Sequence, residues 1–349
     1  MKRTLIFGLA LLFVSTALFA DDAKVMPARV GRFYLAPTYG FTHGEFDEEG
    51  RIVGSLSTMR MFNLGLALEY GITNWITGAI QWAPGWNMWS NINTIFGEST
   101  YANMNGVADL FLGAKMQIIG TQAPVVNEMF RLAFAPGIKI PLPGPDFEEQ
   151  GKNRNNGDSF TVGNIDNHVL GLGLRSYLDF IVNENFFINL YNEVILYPVK
   201  GDFAKAGVGE YLNLAGTNAA IAALDSSVEG KINYGYALTF ELEPTFTANI
   251  ADRTIFTAGL PLNYQTSPGA KYEFTGSGVA GAGAAEGLGA IFEDGKQSHL
   301  LAFKPNASVF FMGWALPMEF KLQYSAALAG KNNNALNTLT FQARFYFKF

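Results

Sequence analysis

Cysteine is missing from all 349 residues, which excludes disulfide frameworks, thiolate metal centres and cysteine nucleophiles. Histidine is nearly missing. His43, His168 and His299 stand far apart, with no spacing that would gather a zinc ion. Charged residues make up only 15% of the chain and their balance is −6, which argues against nucleic acid as a partner. Beyond the first twenty residues there is no run of about eighteen apolar residues, so no helical membrane span is encoded. Yet 49% of the chain is hydrophobic and 14% aromatic. So apolar a chain without a helical anchor must place its greasy side chains in another way.

The start of the chain says where it goes. Lys2 and Arg3 precede an apolar run from Leu5 to Ala17, and Leu18-Phe19-Ala20 stands just before the acidic pair Asp21-Asp22. This is the layout of a secretory signal peptide over residues 1–20. Its removal takes away two of the 24 basic residues and none of the 30 acidic ones, so the exported chain is the more acidic. No linker or composition break divides residues 21–349, which read as one domain.

The end of the chain says how it folds. Leu339, Phe341, Ala343, Phe345, Phe347 and Phe349 alternate with Thr340, Gln342, Arg344, Tyr346 and Lys348. Strand side chains alternate between faces, so one face is aromatic and the other polar with two cations. A strand with lipid on one side and a wet lumen on the other needs this pattern. The terminal aromatic resembles the carboxy-terminal signature of bacterial outer-membrane β-barrels, which implies outer-membrane lipid and the barrel assembly machinery as partners. Similar alternation recurs over 57–70, 109–118, 130–140 and 231–243. The spacing predicts an all-β, transmembrane antiparallel β-barrel of about 12 strands. Short periplasmic turns are expected near Gly71–Asn74, Gly120–Asn127, Val182–Asn185, Asn249–Arg253 and Gly313–Ala315. Long extracellular loops are expected over His43–Leu56, Pro84–Gly106, Pro141–Asn167, Val199–Gly230 and Gln265–Ser298.

The polar rows define an expected lumen. Its cations are Lys115, Arg131, Lys139, Arg175, Lys304, Lys321, Arg344 and Lys348; its anions are Glu69, Asp109, Asp179, Glu193, Glu241, Glu243 and Glu319. Antiparallel pairing places Asp109 opposite Lys139, Gln117 opposite Arg131, and Arg175 near Glu193. Asp109, Lys115, Arg131, Lys139, Arg175, Glu193 and Arg344 are the candidate solute path. Only about ten residues separate the signal from the first strand, too few for an amino-terminal plug. Occlusion is therefore expected from the loops, including a short helix around Asn218–Leu224. Trp86 and Trp89 in the apolar stretch Pro84–Gly106 form either an entry site for greasy solutes or part of an interfacial girdle. Pro37, Pro136, Pro261 and Pro305 interrupt the wall, where a proline removes a ladder hydrogen bond. Bulges explain them, or a kink at Pro136 and Gly137 that opens a lateral exit.

Other chemistry is thin. The acidic loop Asp146–Asp158 lacks the carboxylate spacing of an EF-hand. The glycine-rich run Gly276–Gly289 has no βαβ setting for a nucleotide and reads as a flexible loop. No serine stands ready to pair with His168 on a lipid face. No cofactor, metal or catalytic set is expected.

Between Tyr70 and Gly144, "EYGITNWITGAIQW", "NGVADLFLGAKMQII" and "FRLAFAPGIKIPLPG" occur in order. They resemble the turn and strand motifs of the MetA-pathway phenol-degradation-like outer-membrane proteins, with Asp109, Lys115, Lys139, Pro141 and Gly144 matching. Asn74 stands where that family has Asp, and Ala108 where it has Gly. The resemblance, which extends distantly to long-chain fatty-acid transporters, implies uptake of apolar small molecules. Acidic outer loops favour neutral aromatics over ionised fatty acids. The expected function is thus a channel or transporter for a small-molecule solute, apolar or aromatic. A general or polar-solute porin and a structural or surface-interaction barrel stand as alternatives.

Overall fold

In the computed structural model, residues 22–93, 99–106, 108–142, 169–204, 228–291 and 294–348 are described. Twelve wall strands follow one another around a closed antiparallel barrel. They are β1 (Val30–Phe46), β2 (Ile52–Thr73), β3 (Ile76–Asn93), β4 (Ser99–Gly106, resuming as Leu110–Gly120), β5 (Phe130–Ile140) and β6 (Gly171–Asn183). Then come β7 (Phe186–Leu196), β8 (Tyr236–Ala251), β9 (Thr254–Gly259 and Leu262–Ser267), β10 (Ser298–Phe303 and Asn306–Phe311), β11 (Met318–Lys331) and β12 (Asn337–Lys348). Each pairs with its sequence neighbours, and β12 closes on β1, with Val30 opposite Lys348 and Phe41 opposite Asn337. A closed wall leaves no edge with unpaired backbone, which lipid would not tolerate.

The two faces separate as the alternation requires. Leu68, Ile80, Leu172, Leu242, Leu322 and Phe341 point outward and are exposed, whereas Asn63, Thr77, Asn189, Glu241, Asn263 and Gln342 are buried inside. An apolar belt around a polar interior belongs in a bilayer, and such barrels sit in the bacterial outer membrane.

Three expected loops are regular structure. Within His43–Leu56, β1 and β2 run on to a tight turn where Asp47 Oδ1 accepts the amides of Glu49 at 3.0 Å and Arg51 at 2.8 Å; Gly50 supplies a φ of 79°. Of the expected loop Pro84–Gly106, the described residues 84–93 and 99–106 are strand. Its flanks pair strand to strand, Trp86 opposite Gly106 and Asn93 opposite Ser99, so Trp86 and Trp89 lie on a ribbon continuing β3. The run expected to be flexible forms a helix, α1 (Gly278–Ile291). It packs on a three-stranded sheet of Gly201–Ala204, Val228–Asn233 and Lys271–Gly276, whose middle strand is Val228–Asn233. Gly276 lets Gly281 approach so closely that a Cβ would strike its carbonyl oxygen at 1.9 Å. Burial pushes the Tyr272 phenol up within this sheet. The Asn218–Leu224 helix, the Asp146–Asp158 loop and residues 1–20 fall outside the described residues.

Prolines mark the thin places of the wall. The β1–β12 ladder skips from Leu35↔Ala343 to Thr38↔Thr340 at Pro37, and β9 and β10 each stop and restart at Pro261 and Pro305. There the proline carbonyls still accept, from Lys304 at 2.8 Å and Tyr324 at 3.0 Å, so the neighbouring strands stay joined.

Candidate functional site in the barrel lumen

The lumen is crossed by ion pairs. On one side, β1, β2, β11 and β12 build a closed network. Arg32 Nη2 donates to Glu69 Oε2 at 2.6 Å, and Arg344 Nη1 donates to Glu319 Oε2 at 3.2 Å. The Tyr346 hydroxyl donates to that same Glu319 oxygen at 2.8 Å. The Tyr34 ring lies beneath both guanidinium groups, 4.5 Å from that of Arg32 and 5.1 Å from that of Arg344. All these donors and acceptors come from the wall itself, and bidentate or charge-assisted bonds fix them firmly.

Across β8 to β10, Glu241 Oε2 accepts from Asn263 at 2.8 Å and stands 3.5 Å from Lys304 Nζ. Glu243 accepts from Asn306 at 2.9 Å. Arg175 donates to Glu193 at 2.5 Å and to Gln81 at 2.9 Å. Those two residues are direct partners in the β6–β7 register.

The opposite side holds something the sequence reading missed. Residues 22–29 turn inward and enter the barrel from its periplasmic end. The Ala23 amide donates to both Asp179 carboxylate oxygens at 3.1 Å. Gln117 Nε2 donates to the Ala23 carbonyl at 2.9 Å, and Lys115 Nζ donates to the Asp22 carbonyl. Thr77 Oγ1 accepts the Met26 amide at 2.8 Å, and Asn74 accepts the Ala28 amide at 3.0 Å. Ala23 is fully buried with Ala133, Ala135, Tyr177 and Tyr191. The expectation that so short a segment could not plug the barrel is therefore overturned. The few residues 22–29 are enough to enter the lumen because inward side chains of the wall meet their backbone. The chain makes the turn over Gly71, where a Cβ would meet the Pro27 carbonyl at 2.0 Å. The legible signal was the placement of Asp179, Gln117 and Lys115 on inward rows of neighbouring strands, with more hydrogen-bonding capacity than they use on one another.

The expected path residues are all near or on the inner face, but not all meet as foreseen. In the β4–β5 register Phe111, not Asp109, opposes Lys139, and Ala133, not Arg131, opposes Gln117. The shift is two residues, so every face is kept. β5 begins at Phe130 as expected, and the ladder is irregular between Gln117 and Ile119, where Ile119 opposes Leu132 beside the turn. Lys139 still reaches Asp109, diagonally, at 4.0 Å. Arg131 pairs instead with Asp179 at 2.7 Å.

Pro136 and Gly137 lie within one unbroken strand. β5 is continuous, but its ladder to β4 skips from Gly113↔Gly137 to Met116↔Phe134, leaving a two-rung gap at Pro136, which has no N–H to give. Gly137 has another task. Gly113, Gly137 and Gly173 lie side by side on β4, β5 and β6, and the Phe111 ring rests on this trough. A Cβ at Gly137 would meet the ring at 2.3 Å. Arg175 covers the ring from 4.2 Å, and Lys115 stands 3.9 Å from the centroid of Tyr177. Two aromatic rings, each against a cation, thus face the segment at mid-wall.

Outside the lumen, Tyr264 and His299 share a 2.6 Å hydrogen bond on the outer face. His299 is thereby engaged as a girdle residue. Among the described residues no group of carboxylates and histidines converges as a metal site.

No family model matches the sequence, and none of the curated proteins matches it. Solved structures do. An outer membrane channel from Pseudomonas putida F1 is 14% identical, with 94% of this chain and 99% of that one covered and a TM-score of 0.58. A FadL homologue from Pseudomonas aeruginosa is 8% identical over 100% and 98%, with a TM-score of 0.35. The CymD monoaromatic hydrocarbon channel is 8% identical over 93% and 89%, with a TM-score of 0.36. The first likeness supports the barrel fold; the other two are too weak to carry an argument.

Proposed function

We propose that the protein is a channel for small solutes across the outer membrane, with apolar or aromatic solutes preferred. The observation that carries this is the nature of the stopper. Side chains lining the lumen hold residues 22–28 by hydrogen bonds to their backbone, and among the described residues no strand pairing ties this segment to the wall. Such a segment can leave without any wall strand separating. A barrel with a purely structural role has no need of a removable stopper.

The preference for aromatic solutes rests on Phe111 and Tyr177, whose rings face the lumen, and on the two-rung gap at Pro136 beside them. That gap is the candidate lateral exit toward the bilayer. The MetA-type motifs between Tyr70 and Gly144 support the same reading. Outer-membrane lipid around the belt and the assembly machinery acting on β12 are the further partners it entails.

Uptake of radiolabelled benzyl alcohol into proteoliposomes tests it. Pro136→Ala restores a backbone donor and narrows the gap, so delivery into the membrane should fall while the wall stays intact. Equal uptake by wild type, Pro136→Ala and protein-free vesicles would reject the reading. A general porin is the second reading, favoured by the polar interior; a steady ohmic current from the intact protein would put it in front.

A further inference from the structure

The segment that fills the lumen also describes what could replace it. Its polar contribution is a pair of consecutive carbonyl oxygens, Asp22 accepting from Lys115 and Ala23 from Gln117. Its apolar contribution is Ala23 against Tyr177, with Val25 and Met26 lining a cleft that reaches Phe111 and that, with the segment in place, has only about 30 Å³ left empty. Small residues of the wall, Ala79, Gly113, Ala114 and Ala135, make that cleft possible. Two oxygens on one side and a flat apolar body on the other are the outline of an aromatic acid.

We propose that this cleft is a binding site for small aromatic carboxylates, which residues 22–26 occupy while the channel is closed. The proposal rests on the passage reading above and narrows its solute class. Lys115 already makes a charge-assisted bond to the Asp22 carbonyl; a carboxylate there adds the opposite charge and makes an ion pair of it, so the acid competes with the segment. Its ring takes the place that Ala23, Val25 and Met26 fill beside Tyr177 and at the border of Phe111, whose face Arg175 covers. The other charges nearby are held in pairs: Glu193 by Arg175, Asp179 by Arg131, and Glu69 by Arg32. Lys24 and Asp22 form their own pair at 3.1 Å and leave together with the segment. The acidic outer loops favour neutral solutes at the mouth, but the ends of side chains that meet the cleft are mostly cationic.

The test is equilibrium dialysis of radiolabelled benzoate and, separately, benzyl alcohol against the purified protein in detergent, with empty micelles subtracted. Wild type is compared with a variant lacking residues 22–26, and with Lys115→Met, Lys115→Arg and Gln117→Leu in that background; heat-modifiable migration confirms each barrel. The deletion should raise benzoate retention by about tenfold, one charge-assisted bond's worth of binding, and benzyl alcohol by less. Lys115→Met and Gln117→Leu should each lower benzoate retention and leave benzyl alcohol unchanged, while Lys115→Arg keeps the preference. Equal retention of the two probes, or indifference of benzoate to both substitutions, overturns the site. Conductance of the same variants in potassium chloride reads passage separately. A deletion protein that conducts without preferring benzoate loses the site and keeps the channel; one that prefers benzoate without conducting loses the channel and keeps the site.

Discussion

Two sides of one lumen carry similar charges to different ends. On the side of β1, β2, β11 and β12, Arg32, Glu69, Glu319, Arg344 and Tyr346 answer one another, and every partner belongs to a wall strand. On the side of β4 to β7, Lys115, Gln117 and Asp179 spend part of their capacity on a segment that is no strand at all. The first arrangement can only be broken by damaging the barrel. The second, on the function proposed above, can be undone and remade. Ion pairs within a wall narrow a passage permanently; hydrogen bonds to a loose segment narrow it conditionally.

Substitutions that separate stability from passage sharpen this contrast. The largest loss of stability is expected for Glu319→Ala, which leaves Arg344 buried without its carboxylate and costs about 3–5 kcal/mol. Urea unfolding in lipid vesicles measures it. Conductance per folded channel should stay near that of wild type, because no stopper residue is touched. Gly137→Val comes next. A branched side chain drives into the Phe111 ring, and overpacking of this kind costs about 1–3 kcal/mol; uptake of an aromatic probe should fall with it, while potassium chloride current should not.

Ala23→Pro is the gentlest for the wall and the most telling for the segment. It removes the amide that the Asp179 carboxylate accepts, a loss of about 1.5–3 kcal/mol, yet it should raise conductance more than either wall substitution. Gly71→Ala should act likewise by pushing the Pro27 carbonyl off its perch. Conductance traces of the two variants check this, and unchanged traces in both would place the hold on the segment elsewhere.

How far the sequence foretold this follows from which forces are periodic. Alternation of Leu, Phe and Tyr with polar residues repeats every second position, so strand faces, the inward charges and the closed barrel were all legible. Arg175 and Glu193 were paired correctly because a short turn fixes their register. The β4–β5 register slipped because an irregularity between Gln117 and Ile119, beside the turn, breaks the even count of the ladder, and alternation alone does not announce it. Long glycine- or aromatic-rich connections misled for a different reason. Gly276–Gly289 is rich in a residue that disfavours helices, and its helix exists through packing on the strand Lys271–Gly276, which no local pattern announces. The role of Gly137 was equally hidden, since it depends on a ring from β4 and glycines from two other strands.

The stopper was the deepest omission. Residues 22–28 show no periodicity, and their position is dictated by side chains up to 156 positions away in the chain. Spare hydrogen-bonding capacity on inward rows can be read in a sequence only after the rows have been assigned and paired.

The most direct test of a lumen closed conditionally is single-channel conductance in planar bilayers for the wild-type protein and for the variant lacking residues 22–26, under the same salt and voltage. The conditional stopper entails a larger and steadier current from the deletion variant, with Glu319→Ala indistinguishable from wild type. Equal currents from wild type and the deletion variant, or none from either, would contradict it.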